Sequence, residues 1–325
     1  MSTALGNAAT DATADAATAA AAAATAGSNR SAGRGIATGT GLSFAGVLRS
    51  EWIKLRTLRS TLWCYALIVV LTIGLALLIA AAQGTRPGSA ASTPAATLTA
   101  AAQQASWITD ATLGINFAQL VIAVLGALVI TGEYATGMIR SSFAAVPSRL
   151  PVVFAKTLVF GLTTFVVSLF SLVAAALVIV PMLQGRDIHP DLRDGSAWLA
   201  LVGGAGYLAV VGVIALGIGL LVRSSAAGIA TSLGLLLVVP IVLRIVARVT
   251  SAVWPSNVAS FLPSEAGGAL YSYPIAAPAA ATGPAGTAAD AGVVVLDSWE
   301  SLAVLVGWAV LVLVAGCVLV KRRDA

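Results

Sequence analysis

Three lysines and one histidine are the first residues to ask for chemistry. Lys54, Lys156 and Lys321 follow Ile53, Ala155 and Val320. A phosphate-cradling G-x-x-x-x-G-K-[ST] loop needs a Gly-Lys pair, so this chain cannot build one. His189 sits in Gly185-Arg186-Asp187-Ile188-His189-Pro190-Asp191. A metal or catalytic site would want a second imidazole or an organised ligand set, and a solvated loop histidine is the better reading. Cys64 and Cys317 both lie in apolar runs, where a thiol packs as a small hydrophobe and offers no disulfide framework. Isolated helical serines have no imidazole beside them, which leaves hydrolase chemistry without support.

Three other segments carry a signal. In 43–60, a helical wheel puts Phe44, Val47, Leu48, Trp52, Leu55 and Leu58 on one side, with Arg49 and Arg56 away from it and Lys54 and Arg59 toward its edges. Such a helix lies in a membrane surface, its basic side chains facing anionic headgroups. Glu51 spoils the stripe, and its natural partner is Lys54 at i,i+3. Ordinary basic flanking sequence is the plainer reading. The second segment runs from Thr131-Gly132-Glu133-Tyr134-Ala135-Thr136-Gly137-Met138-Ile139-Arg140 to Arg149 and Lys156. Its carboxylate, glycine and spaced basic residues suit a short helix docking on a soluble partner, or simply a solvated loop. The third is Pro263-Ser264-Glu265-Ala266-Gly267-Gly268-Ala269-Leu270, where a carboxylate and a glycine pair follow the aromatic, breaker-rich 254–263 stretch. It reads as an interfacial or re-entrant segment, or as a plain outer loop.

The elements that must position these residues follow from composition. Of 325 residues, 58% are apolar and 10% charged, with a mean hydropathy of +0.96. A soluble globular chain carries roughly 25% charged residues, so lipid must cover part of this surface. A helix needs about 20 apolar residues to cross a bilayer. Six stretches serve: 62–82, 113–131, 157–183, 197–222, 226–243 and 301–320, none containing Asp, Glu, Lys, Arg or His. The expected fold class is all-α, a polytopic membrane protein of six transmembrane helices over 61–323. Pro181 and Pro240 fall near span ends, as terminators or mild kinks, and Arg223-Ser224 makes a tight hairpin of spans four and five. Clean spans also argue against proton or ion relays.

Basic residues set the orientation. With both termini cytoplasmic, only Arg86, Arg186, Arg193, Arg244 and Arg248 lie outside, and the remaining thirteen of eighteen lysines and arginines lie inside. The formal charge of +5 is thereby a topology signal rather than a mark of nucleic-acid binding. Residues 1–42 are Ala-, Thr-, Gly- and Ser-rich and should form a disordered leader. Asp11 and Asp15 before the Ala16 to Ala24 run make a poor signal peptide. Residues 276–291 resemble a flexible spacer.

The ordered set Ser50-Glu51-Trp52-Ile53-Lys54-Leu55-Arg56-Thr57-Leu58-Arg59-Ser60, Gly132-Glu133-Tyr134-Ala135-Thr136-Gly137-Met138-Ile139-Arg140 and Leu221-Val222-Arg223-Ser224 resembles the permease subunits of type-2 ATP-binding-cassette (ABC) transporters, particularly those of actinobacteria, over about Ser43 to Arg323. The leader and the 276–291 insertion fall outside that pattern. The resemblance implies a multi-pass plasma (inner) membrane permease, an exporter, paired with a second permease subunit and energised by a separate ATPase subunit that carries ATP and Mg. It implies no cofactor and no enzymatic activity in this chain. It places Glu133, Tyr134, Gly137 and Arg140 in the region that couples to the ATPase, and Trp52, Lys54, Arg56 and Arg59 on the membrane-surface helix. Asn116, Gln119, Thr163, Thr164 and Ser168 are candidates for a substrate path, or for hydrogen bonds between neighbouring helices. A non-transporting scaffold and an ion-coupled carrier are the competing readings.

Overall fold

The computed structural model describes residues 44–84, 99–138, 150–274, 292 and 294–323. Residues 1–42, most of the 131–149 connection beyond Met138, and the 276–291 insertion lie outside the described residues. The helices are α1 (Phe44–Thr57), α2 (Arg59–Gly84), α3 (Ala100–Thr112), α4 (Ile115–Ala135), α5 (Leu150–Gln184) and α6 (Gly195–Val222). They continue with α7 (Ser225–Leu233), a π-helical turn (Gly234–Val238), α8 (Val239–Thr250), α9 (Trp254–Ser260), α10 (Pro263–Tyr271) and α11 (Ser298–Arg323). No strand occurs among the described residues. In lipid every backbone N–H and C=O needs an internal partner, and a helix supplies it within each long apolar run.

Six helical stretches are long and apolar enough to cross a membrane: Arg59–Gln83, Ala100–Ala135, Leu150–Gln184, Gly195–Val222, Ser225–Thr250 and Ser298–Val320. They alternate in direction, as contacts at both ends show. Lys54 of α1, Glu133 at the end of α4 and Lys156 near the start of α5 meet on one side. Gln83 at the end of α2, Asp110 of α3 and Arg186 just after α5 meet on the other. We call these the α1 side and the far side.

At the centre stands α6, the most buried of the six. Lipid tails are as apolar as leucine, so close packing and interhelical hydrogen bonds must hold such a bundle. A Cβ on Gly126 of α4 would lie 2.5 Å from the carbonyl oxygen of Gly212 in α6, so the two backbones cross in near contact. Trp107, Tyr207 and Phe160 are fully buried. Trp107 Nε1 donates to the Ala176 carbonyl at 2.9 Å, Tyr65 and Thr164 share a 2.9 Å hydroxyl hydrogen bond between α2 and α5, and the Tyr207 hydroxyl of α6 donates to Gln119 Oε1 of α4.

Three features depart from the sequence expectation. The 83–112 connection contains α3, whose Gln103 and Gln104 hold the chain after α5: Gln104 Nε2 donates to the Asp191 carbonyl at 2.8 Å, and its Oε1 accepts from the Asp191 amide at 3.0 Å. The second apolar stretch therefore starts at Ala100 rather than residue 113. That start brings in Asp110, and because α4 runs on to Ala135 and α5 begins at Leu150, Glu133 and Lys156 also fall within helices beyond the uncharged 113–131 and 157–183 runs. Each sits near a helix end among hydrogen-bonding or oppositely charged partners. The fifth helix does not stop at Leu243 but runs to Thr250, because the turn at Gly234–Val238 widens to π geometry just before Pro240. A proline has no N–H for the helix ladder, and a widened turn absorbs that loss without ending the helix. Pro181 likewise stays inside α5, one turn before its end.

On the far side α9 and α10 lie against the bundle. A Cβ on Gly203 of α6 would come within 2.1 Å of the Leu270 carbonyl oxygen, and one on Gly267 within 2.2 Å of the Tyr207 ring. The Trp308 indole of α11 donates to the Phe261 carbonyl at 2.9 Å. Arg244 of α8 reaches Glu265 of α10 at 2.6 Å. Asp194, the N-cap of α6, accepts from the Tyr273 hydroxyl at 2.5 Å and from the Ser196 amide at 2.9 Å. The Tyr273 bond, aided by those from Ser196 and Gln104, holds the Asp194 carboxyl below its ordinary range. His189 is exposed in the same connection.

Candidate functional site

On the α1 side, four oppositely charged side chains from three elements close into a ring. Lys54 Nζ lies 2.7 Å from Glu51 Oε1 and 3.1 Å from Glu133 Oε1. Lys156 Nζ lies 2.5 Å from Glu51 Oε2 and 2.8 Å from Glu133 Oε1. The side chains of Glu51, Lys156 and Glu133 are only 3%, 5% and 10% exposed, and Lys54 is the open member at 26%. Two acids and two bases leave the ring neutral, which is the condition for burying charge: an uncompensated ion there would cost several kcal/mol.

Local sequence explains how the ring forms. The buried face of α1 is Val47, Glu51 and Leu55, spaced four residues apart, so Glu51 does not interrupt the packed stripe; it is the middle of it. Val47 packs on Val152 and Ala155 of α5, and the Phe44 and Phe154 rings meet at 6.2 Å. Lys54, one turn beyond Glu51, is the partner the i,i+3 spacing predicts. Burial pulls the Lys54 ammonium toward its neutral form, but the hydrogen bond to Glu51 and the charges of Glu133 and Glu51 outweigh it and raise its pKa.

Glu133 and Tyr134 leave the end of α4 in different directions. While Glu133 turns to the ring, the Tyr134 ring lies under the Arg223 guanidinium, 5.1 Å from its centroid. Arg223 caps α6 in the left-handed conformation at φ 56° and heads the tight turn into α7. Beside it Ser225 Oγ donates to Thr131 Oγ1 at 3.0 Å. The last turn of α4 thus joins α1, α5 and the α6–α7 turn. That turn ends at Gly137, whose φ of 72° is the left-handed stop that favours glycine. Space is not limiting, since a Cβ there would meet nothing within 4 Å. Gly137→Ala should therefore cost about 1 kcal/mol through backbone conformation alone; a thermal-unfolding midpoint unchanged from wild type would count against this cap.

Residues 45–325 match the model of a protein family described as ABC-2 family transporter protein. The chain belongs to that family. No curated protein matches it. Six apolar helices fit the permease subunit of an ABC-2 transporter, and the charged ring therefore lies at one membrane-surface end of a permease.

Within this ABC-2 permease the site residues expected from sequence fall in different places. Trp52, Arg56 and Arg59 are exposed along α1 and at the start of α2, whereas Lys54 turns inward. Glu133, expected at a partner-facing surface, has its carboxylate engaged inside the chain by two ammonium groups. Gly137 is at the surface, and Arg140 lies outside the described residues. Asn116 is exposed on α4, and Gln119 is buried and bonded to Tyr207 of α6. Thr164 is bonded to Tyr65 of α2, and half-buried Thr163 donates to the Val159 carbonyl of its own helix. The Ser168 hydroxyl is buried without a hydrogen-bond partner. The structure does not bring these five together in one cavity among the described residues; Gln119 and Thr164 bridge helices instead.

Sequence reasoning missed Lys156 as a member of the ring, 105 residues from Glu51. The available signal was a count: Glu51, Lys54, Glu133 and Lys156 are two acids and two bases at or beside ends of apolar elements, and membrane-level charges need partners.

Beside the ring, α1, the start of α2 and the last turns of α4 enclose a cavity of about 310 Å³. Lys54 and Glu133 stand at its polar end, while Leu55, Leu58, Leu125, Leu128 and Val129 form its apolar walls.

Proposed function

We propose that this permease subunit exports its substrate by alternating between two packings of its helices, driven by a separate ATPase subunit that docks on the α1 side. The observation that carries the reading is the joining of α1, α5 and the α6–α7 turn on the last turn of α4, in a chain of the ABC-2 family. A push on the connection after Gly137 would reach all three elements through one rigid helix end. Nucleotide-dependent closure of the ATPase need only favour one packing over the other, and a few kcal/mol of differential contact suffices.

The α1 side is the cytoplasmic side in this reading, with both termini there. The distribution of charge supports it: Arg49, Lys54, Arg56, Arg59, Lys156 and Arg223 lie on the α1 side, against Arg186, Arg193, Arg244 and Arg248 on the far side. ATP and Mg belong to the partner, since this chain lacks a Gly-Lys pair. A second permease subunit completes the path, and the plasma (inner) membrane is the location. Because the Glu133 carboxylate is held inside the chain, its part in coupling is to fix the end of α4 rather than to touch the ATPase.

Glu133→Gln keeps the side-chain volume and removes the charge. In proteoliposomes containing the permease and its cognate ATPase, this variant should insert but be less stable, because it leaves a surplus ammonium in the ring. Compared at equal amounts of folded protein, it should lose ATP-driven transport by about 5–150-fold, the usual span of a coupling free energy. Wild-type transport by Glu133→Gln would remove the coupling role. In the same preparation, ATP hydrolysis that moves no solute would favour a scaffold. Transport without the ATPase that stops when an ion gradient collapses would favour a carrier.

A further inference from the structure

We infer that the cavity between α1, α2 and α4 binds a single-chain lipid amphiphile whose head is uncharged and hydroxyl-bearing, such as a monoacylglycerol. One end of the cavity is charged and largely buried, and the remainder is apolar, which is the division of an amphiphile. The volume of about 310 Å³ is at the low end for ligand pockets and suits one chain segment with a small head. Exposed Leu58 and Met138 line it, so a lipid chain can enter from the side.

The charge balance of the ring selects the head. Glu51, Glu133, Lys54 and Lys156 already neutralise one another, and an anionic or cationic head would leave one charge uncompensated in a site that water reaches poorly. A neutral head avoids that cost and still finds hydrogen bonds. An ammonium has three N–H donors, and Lys54 uses two on Glu51 and Glu133, leaving its third for an acceptor. Ser60 and Thr136 also line the cavity; the Thr136 hydroxyl gives its proton to the Gly132 carbonyl at 2.9 Å and can accept, while the Ser60 hydroxyl can donate or accept.

Cys64 lines the cavity as well and supplies a reporter. In a Cys317→Ser background it is the chain's one thiol, and its alkylation by N-ethylmaleimide can be followed by mass spectrometry on the full chain in phosphatidylcholine nanodiscs. Three amphiphiles with the same oleyl-length chain separate the head chemistries: monoolein is neutral, oleoyl lysophosphatidic acid anionic and oleylamine cationic. Monoolein at ten times its dissociation constant should slow alkylation about tenfold, with much weaker protection by the other two at equal mole fraction. Equal protection by all three, or none by monoolein, would overturn the assignment. Gly132→Leu, which fills the cavity from a glycine that lines it and whose Cβ meets nothing within 4 Å, should abolish protection by monoolein; retained protection places the lipid elsewhere. Lys54→Met makes the ring net negative and should shift preference toward oleylamine on the order of tenfold; an unchanged order of preference would refute the charge argument. Occupancy rather than flux is read, so the result is independent of whether an ATPase drives this permease.

Discussion

Lys156→Met should destabilise the permease by about 3–5 kcal/mol, the usual cost of removing one partner from a buried ion pair. Lys156 is the most enclosed cation of the ring, at 5% side-chain exposure, and lies 2.5 Å from Glu51 and 2.8 Å from Glu133. Methionine has similar length and no charge, so the loss is electrostatic rather than a cavity. Two carboxylates would then share Lys54 alone, one of them 3% exposed. Thermal unfolding in detergent micelles, followed by tryptophan fluorescence, reads the effect. The double variant Lys156→Met with Glu51→Gln is the decisive control. It restores neutrality by leaving the Lys54–Glu133 pair, and should recover most of the lost stability. Additive damage in the double variant would mean that packing rather than charge balance holds α1 to α5.

Gly203→Ala should be the most damaging change on the far side. The added methyl would stand 2.1 Å from the carbonyl oxygen of Leu270 and 2.9 Å from its carbon. A backbone group cannot rotate aside as a side chain can, so α10 must move as a body. Overpacking of this kind costs about 1–3 kcal/mol, sometimes more, and here it should also loosen α9 and α10 from α6. Gly206→Ala, on the same helix with nothing within 4 Å of the new Cβ, should be neutral or stabilising by up to about 1 kcal/mol through helix propensity. Limited proteolysis between residues 251 and 297, together with the unfolding midpoint, distinguishes the two variants; equal behaviour would deny that Gly203 sets the approach of α10.

Hydropathy made the six crossings legible, because long uncharged apolar runs have few other uses. It missed α3, whose Ala, Gln and Thr residues carry too little hydropathy to mark a span, although they favour or tolerate helix and Trp107 and Ile108 are fully buried. It also stopped the fifth helix at Leu243, since Arg244 looks like a membrane exit; the helix carries on with Arg244 satisfied by Glu265. At the candidate site, helical spacing gave the Glu51–Lys54 pair but treated Glu51 as a flaw in α1. Periodicity locates a face, not the distant element that covers it, so Glu133 and Lys156 could not be joined to it from spacing. The same limit applies to Gln119 and Thr164: both are polar residues in apolar helices, and only the packing shows that they bond to Tyr207 and Tyr65.

The widened turn at Gly234–Val238 also has an azimuthal effect. One extra residue in a turn rotates everything beyond it by about 100° relative to a regular helix. Before it, the fifth helix aims Gly228 and Ser232 into the bundle; after it, the phase is reset and Arg244 is aimed at Glu265. A single rod thereby serves two sets of neighbours whose bearings do not share one 3.6-residue repeat, and the torsional offset between its halves is written into the backbone at Gly234–Val238.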